Sequence, residues 1–557
     1  MNKKFRALSL LIASTFMLGS STFVTAKTPR QPKLVAVIII DQFAYHYLPK
    51  LKKHFHYGLK ELLTNGIVYT NAYHAHGTPE TTTGHHALST GSLPKDHGGI
   101  LNQWIDHHYK KVCYDLDASP EAATLATGPQ SCPDGKSCHN TMVDGLSDQF
   151  IFSAAPNSHH KVFALSLKSH PAIATANRLG KAIWFDPIAG NFTSSKKYFT
   201  RLPEWVTRFN QEHKISEKTH VAWERMYSKK SVAYQFPDIT NYDHAGYKFS
   251  IAGNKNIAID HAAAAPYEMY LKTPNAGKAL VELAKVCVDQ NFTQASDRML
   301  LWLSLSNLDL VGHFYGPDSL EAIDTIYHLD KQIKEFMDFV RRRVGENNCL
   351  FILTADHGIP PIPEIANKRG ITIARRVLAK PLMQTMNTQI KQKYNIDEIV
   401  KAFEPTFFVL NKEALAICDA PTRAAIITDL KTFLHRQKGI KRVWESDELE
   451  RLTFAPTQRE NFYKMQLYHH RSGDLICMPQ PYCLLTNYDA GTSHLSPYEY
   501  DLHVPLVLYQ KGRFEKKTVT KRVWIPQVPI TLARILRIPQ PSASMFSHLP
   551  ESLEEHV

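Results

Sequence analysis

Leu34–Asp41 reads LVAVIIID. An unbroken apolar run rich in β-branched residues suits a strand buried on both faces, as in a parallel sheet, and lacks the alternation of a half-exposed strand. The run ends on a carboxylate. Open α/β sheets collect their chemistry at the carboxyl ends of central strands, so Asp41 is a candidate site residue as well as a turn former. The pattern recurs downstream. Lys161–Leu167 (KVFALSL) delivers Lys168 and His170, Met299–Leu305 delivers Asp309 and His313 in the loop that follows, and Cys349–Ala355 (CLFILTA) delivers Asp356 and His357. Helical stretches intervene at Gly277–Val288 and in a long segment opened by an Asp318/Glu321 capping box, with Ile323, Ile326, Ile333, Phe336 and Val340 at helical spacing. Strand, loop and helix in repetition predict an α/β fold.

The remaining chain fills in around this frame. A helix is expected near Leu51–Leu63, a short strand at Ile67–Tyr69, extended strands and turns over Ala182–Phe209, a strand at His503–Tyr509 and a closing helix at Pro526–Leu536. From about Pro360 prolines, basic helix-like stretches and amphipathic segments take over, which predicts an inserted cap subdomain over 360–482, between a first core part at 27–359 and a last part at 483–557.

Composition bounds the class. The chain has 557 residues and is 43% hydrophobic, enough for a large core. Residues 1–26 join a basic start to a short apolar run and small residues, the pattern of a signal peptide, and no later stretch is long and apolar enough to span a bilayer. A periplasmic or secreted protein is expected. All eight cysteines lie beyond that segment, which in an oxidising compartment allows up to four disulfides; Cys132 with Cys138 and Cys477 with Cys483 would close short loops. The net charge of +13 mildly favours anionic substrates, but no dense basic block with interleaved aromatics forms a nucleic-acid track.

Gly77–Trp104 reads GTPETTTGHHALSTGSLPKDHGGILNQW and sets threonines among glycines and histidines. Alone it reads as a helix cap, since threonine hydroxyls satisfy free backbone N–H groups. Its weight comes from Asp41, Asp309 with His313, Asp356 with His357, and His494 in DAGTSHLSPYEYDLHVPLVLY. Asp309 and His313 stand four apart beside Gly312, so both can reach one ion from a helical turn or a tight loop. Six N and O donors arriving from four strand ends are the supply a paired-metal site needs.

These residues in this order resemble the alkaline phosphatase superfamily. Gly491–Leu506, Asn102-x-Trp104, the RSGD at Arg471–Asp474 and Leu308–Pro317 are similar to the monomeric, exported, phosphate-irrepressible bacterial alkaline phosphatases, relatives of the nucleotide pyrophosphatase/phosphodiesterases. The resemblance covers the whole chain after the signal segment. It implies a three-layer, doubly wound, mostly parallel sheet and a monomer acting on small phosphorylated substrates. It implies two Zn²⁺, one on Asp309, His313 and His494 and the other on Asp41, Asp356 and His357, although Asp/His sets also hold manganese, iron or cobalt. Among Thr78, Thr81, Thr82 and Thr83 it selects Thr81 as nucleophile and metal ligand, four residues before His85, with Asn102 donating to a phosphate oxygen.

Substrate choice turns on the stretch Lys168, Ser169, His170. Phosphatases of this kind present a Lys-x-Arg pair there; the lysine is kept and histidine replaces the arginine. Histidine lacks the guanidinium fork that suits the extra charge of a monoester. A phosphomonoesterase releasing inorganic phosphate is the first expectation, and a phosphodiesterase or nucleotide pyrophosphatase the alternative. No sulfatase nucleophile motif stands in Gly77–Gly91. A metal-stabilised binding protein without catalysis is the reading of a different class, and the full set of ligands with Thr81 argues against it.

Overall fold

The computed structural model describes residues 31–128, 134–236, 238, 243–244, 247–248 and 255–553. The segment at 1–26, expected to be a signal peptide, lies outside the described residues. The main sheet has ten strands: β1 (Leu34–Ile40), β2 (Ile67–Tyr73), β3 (His159–Ser166), β4 (Lys181–Asp186), β5 (Asn191–Thr193), β6 (Asp297–Leu305), β7 (Cys349–Thr354), β12 (His503–Tyr509), β13 (Lys517–Val519) and β14 (Val523–Trp524). Four strands of a smaller sheet fall between β7 and β12 in the chain: β8 (Val400–Glu404), β9 (Phe407–Leu410), β10 (Ile440–Glu445) and β11 (Leu475–Pro479).

The main sheet runs β13-β2-β12-β7-β1-β6-β3-β4-β5, with β14 also on β2. Its centre, from β7 through β1, β6 and β3 to β4, is parallel, while β12 is antiparallel to both its neighbours and β5 is antiparallel to β4. All seven residues of β1 are buried, as an unbroken apolar run requires. Each large aliphatic side chain so buried contributes about 1.5–3 kcal/mol.

Helices cover both faces. One layer contains α1 (Gly58–Asn65), α4 (Pro274–Asn291) and α6 (Leu320–Val344); the other contains α2 (Thr81–Thr90), α3 (Ser169–Ala176) and α9 (Gln527–Leu536). Buried Asp330 of α6 accepts hydrogen bonds from the backbone N–H groups of His56, Tyr57 and Leu59, at 2.8, 3.0 and 2.7 Å, and so caps the start of α1. That break at Tyr57 divides the helix expected over Leu51–Leu63. The long helix α6 takes Ser319 as its N-cap, whose hydroxyl accepts from Ala322 N–H at 3.1 Å, in place of the expected Asp318. Asp318 instead pairs with Lys50 at 3.2 Å and Arg369 at 2.6 Å. Over Ala182–Phe209 the strands β4 and β5 form as expected, but a helix at Glu204–His213 replaces the last extended part, with Val206 and Phe209 buried on one face.

The smaller sheet is antiparallel, in the order β8-β9-β11-β10, and with α7 (Ala379–Tyr394) and α8 (Ala420–His435) it encloses its own hydrophobic core, from Val377 to Leu485. The chain enters and leaves this unit on two parallel strands, Arg375–Leu378 and Cys483–Thr486, paired residue for residue. The expected bridge between Cys477 and Cys483 does not form. Cys477 sits in β11 opposite Val443, whereas Cys483 belongs to the entry pair opposite Arg375, so the two side chains serve different sheets. Seven of the eight cysteines are described and all seven are free thiols. Cys132, the expected partner of Cys138, lies outside the described residues.

One close approach ties a helix to the sheet edge. A Cβ on Gly84 of α2 would lie 2.2 Å from the carbonyl oxygen of Asp356, so only glycine lets the helix rest against the end of β7. Gly84→Ala is expected to destabilise the fold by about 1–3 kcal/mol through this overpacking. Denaturant unfolding checks it, and an unchanged midpoint would mean that the helix rides free of the strand end.

Candidate active site

Register assembles the site. Ile40 of β1 lies opposite Leu305 of β6, and Ile39 lies opposite Thr354 of β7, so one or two further residues bring Asp41 alongside Asp356. Ser304 of β6 lies opposite Ser166 of β3, which carries Lys168 to the same edge. Asp309 and His313 follow on a helix, α5 (Asn307–Tyr315), and not in the expected loop. The helix begins two residues after β6 and its four-residue spacing puts both side chains on one face.

The histidines are oriented from behind. His313 Nδ1 lies 2.7 Å from the carbonyl of Thr492, His494 Nδ1 lies 2.7 Å from the carbonyl of Pro79, and His357 Nδ1 lies 3.1 Å from the carbonyl of Gly358. A carbonyl only accepts, so each Nδ1 carries the proton and donates it, and in the neutral ring each Nε2 presents a lone pair. The Nε2 atoms of His313 and His494 face each other at 3.1 Å, with Asp309 Oδ1 at 3.1 and 3.4 Å from them. Two facing lone pairs beside a carboxylate repel unless a cation joins them. Burial pulls the pKa of His494 down to about 4, with His357 nearby adding to the effect, so the ring is neutral as a ligand must be.

Asp41 and Asp356 are fully buried and each leaves its Oδ2 without a hydrogen-bond partner, as does His357 at Nε2. Burial, then the neighbouring charge of Asp356, raises the pKa of Asp41. His357 Nε2 lies 3.1 Å from Asp356 Oδ2, and that carboxylate, working against burial, lifts the ring to about 9. A divalent cation set among these atoms would displace such protons and satisfy the orphaned oxygens.

By proximity the ligand atoms fall into two groups, Asp309 with His357 and His494, and Asp41 with His85 and Asp356, each within 4.8 Å. His357 stands between them, its ring stacked on His494 at 3.4 Å and its Nε2 against Asp356. His85 is close but engaged at both nitrogens: Nδ1 meets the carbonyl of Thr81 at 2.8 Å and Nε2 meets Ser304 Oγ at 2.6 Å, while that hydroxyl donates to Asp41 Oδ1 at 2.8 Å. It therefore braces the carboxylates and has no lone pair to offer.

Thr81 is the first residue of α2 and is buried, in line with the N-terminal amides of that helix. Asn102 Oδ1 accepts from Thr82 N–H at 2.9 Å, which turns the amide Nδ2 away as the donor end. The Asn102 N–H in turn donates to Glu80 at 2.6 Å. Burial lifts Glu80 to about 7, against the pull of that N–H. Lys168 hydrogen-bonds Asp309 and lies 3.9 Å from Asp41. His170 is set back, with Nδ1 3.9 Å from Asp115.

Sequence reasoning passed over Gln42. Its backbone φ of 67° is in the left-handed region, its N–H donates to Asp356 Oδ1 at 3.1 Å, and its Nε2 donates to Asp309 Oδ1 at 2.7 Å. A Cβ on Gly312 would meet Gln42 Oε1 at 1.6 Å, so that glycine makes room for the amide. Ser304 and Asp115 were equally silent. His85 alone carried a signal, its four-residue spacing from Thr81. His86 packs between His97 and Tyr114, and its Nδ1 bonds the carbonyl of Thr82 at 2.8 Å.

Comparison with known proteins agrees with this architecture. The chain is 26% identical over 545 residues to alkaline phosphatase PhoV of Synechococcus elongatus, covering 95% of this chain and 94% of that one. It is 26% identical over 567 residues to alkaline phosphatase PafA of Elizabethkingia meningoseptica, covering 98% of each. A crystal structure of wild-type alkaline phosphatase PafA superposes with a TM-score of 0.80 at 23% identity, over 94% of this chain and 99% of that one. Residues 35–504 match the model of the type I phosphodiesterase / nucleotide pyrophosphatase family, and the chain belongs to that family.

Proposed function

We propose that this protein is a metal-dependent alkaline phosphatase that hydrolyses phosphate monoesters through a phosphothreonine at Thr81 and releases inorganic phosphate. The observation that carries the reading is the convergence of Asp309 Oδ1 with the facing Nε2 atoms of His313 and His494 beside the buried pair Asp41 and Asp356. Asp309, His313 and His494 would hold one Zn²⁺, and Asp41, Asp356 and His357 with the Thr81 oxygen the other. Bound there, the ions would favour the Thr81 alkoxide, offset charge on the leaving oxygen and activate water.

The chain's own groups do the rest. Thr81 Oγ1 attacks phosphorus, the ester oxygen departs, and water then cleaves the phosphothreonine to free phosphate. The first-turn amides of α2 and the Asn102 Nδ2 face the anion, fixed in place before the reaction begins. Lys168 brings a positive charge within reach of the same space. The alternative, phosphodiesterase or nucleotide pyrophosphatase activity, is favoured by the family and by His170 in place of an arginine. We further propose that residues 1–26 direct export to the periplasm or beyond, that the protein acts there as a monomer, and that the 360–482 segment is a cap over the site. Among the described residues no helix is long and apolar enough to cross a membrane.

Thr81→Ala is expected to lower turnover of an aryl phosphate by about a thousandfold or more while bound metal per chain stays constant. Retained turnover would rule out Thr81 as nucleophile. On matched aryl mono- and diesters, His170→Arg is expected to raise the monoester-to-diester ratio of kcat/KM by about tenfold. A wild type that prefers the diester, reversed by the arginine, would establish the phosphodiesterase instead.

A further inference from the structure

The residues around His170 form a second assembly beside the metal-ligand groups. Asp115 is buried, with only 2% of its surface exposed, and its carboxylate gathers three partners. Oδ1 pairs with the Lys136 ammonium at 3.0 Å; Oδ2 accepts from the Ser169 hydroxyl and lies 3.9 Å from His170 Nδ1. Burial pushes the pKa of this carboxyl up, but the nearby His170 ring, the Lys136 ammonium and the Ser169 hydroxyl hold it well below the usual carboxylate range.

The backbone sets this carboxylate between two arms of the candidate site. Asn102 is followed at once by a two-stranded hairpin, Gln103–Ile105 against Lys111–Cys113, and the N–H of Tyr114 returns to the carbonyl of Asn102 at 2.9 Å. Asn102 and Asp115 therefore leave the same end of one hairpin. On the other side, Ser169 and His170 open α3 directly after Lys168. Asp115 thus joins the arm that carries Asn102 to the arm that carries Lys168.

Charge gives the assembly a purpose. Lys168 pairs with Asp309 and lies 3.9 Å from Asp41, both of them candidate metal ligands. A monoester brings one more anionic oxygen than a diester, and no guanidinium stands on α3 to meet it. We propose that Asp115 is a positioning residue that holds Lys136 and His170 together beside Lys168, and that Lys136 is the specificity-determining charge for the extra anionic oxygen of a phosphate monoester. This rests on the phosphohydrolase reading above.

The test uses the metal-loaded full chain with Asp115→Asn and Lys136→Met, measuring kcat/KM on matched aryl mono- and diesters and the affinity for inorganic phosphate by calorimetry. Each variant is expected to lower the monoester-to-diester ratio by about tenfold, the size of one lost charge-assisted contact, and to weaken phosphate binding in step. In Lys136→Met, adding His170→Arg is expected to restore the ratio, because a guanidinium on α3 replaces the missing charge. Parallel loss on both esters, or a ratio unmoved in Lys136→Met, would overturn the proposal. A wild type that turns over neither ester would sink the phosphohydrolase reading by itself. In that event unchanged phosphate affinity in both variants would overturn the clamp, and a loss in both would support it.

Discussion

Parallel pairing of β1 with β6 and β7 is the constraint on which the site depends. It sets two strand ends level, and those ends carry Asp41 and Asp356 into a space from which water is excluded. Two buried carboxylates side by side are costly, and a third, Asp309, arrives from α5. The surrounding residues read as successive answers to that cost. Gln42 donates to Asp309 and Asp356, Ser304 to Asp41, and Lys168 to Asp309, while His85 braces the set through Ser304. Oxygens of Asp41 and Asp356 still lack donors, and the Nε2 lone pairs of His313 and His494 still face one another. Bound metal would complete such an arrangement, so the fold and the chemistry share one electrostatic condition.

The frame was legible because unbroken apolar runs have few alternatives. β1, β6 and β7 lie where their patterns put them, and the carboxylates that end or follow them reach the site for the same reason. What was not legible depends on contacts rather than on pattern. Asp309 and His313 read equally well in a loop or on a helix, because four-residue spacing serves both. Ser319 displaced Asp318 as a cap because Asp318 found Lys50 and Arg369, both distant in sequence. Gln42 and Asp115 carry no spacing signal at all, since each acts through partners supplied by other segments. The Cys477–Cys483 pair failed for a different reason: six residues of separation suggested a short loop, but sheet membership, which no local spacing reveals, keeps the two apart.

Thr81 and Asn102 are held by different parts of the fold. The first turn of α2 is held against the backbone of Asp356 at Gly84, while Asn102 is fixed by its two bonds, to Thr82 and Glu80. The hairpin beyond it reaches the smaller sheet, where Gln103 Nε2 donates to Glu404 at 3.0 Å and Lys111 pairs with the same carboxylate at 3.2 Å. Thr78 and Thr406 add a hydroxyl contact at 3.0 Å. Thr81 is therefore seated on the main sheet through Gly84, whereas Asn102 leads into a hairpin that touches the smaller unit as well.

The two strands that carry the chain into and out of the smaller unit are hydrogen-bonded neighbours along Arg375–Leu378 and Cys483–Thr486. The ends of roughly a hundred residues are thereby held one strand spacing apart, about 4.8 Å. To the main sheet the whole unit is a loop already closed. Because closure entropy grows only with the logarithm of length, residues added or removed beyond that doorway cost the parent fold little. Enzymes built this way are free to diversify over evolutionary time in what they admit, by remodelling the annex, while the floor on which the chemistry stands stays fixed.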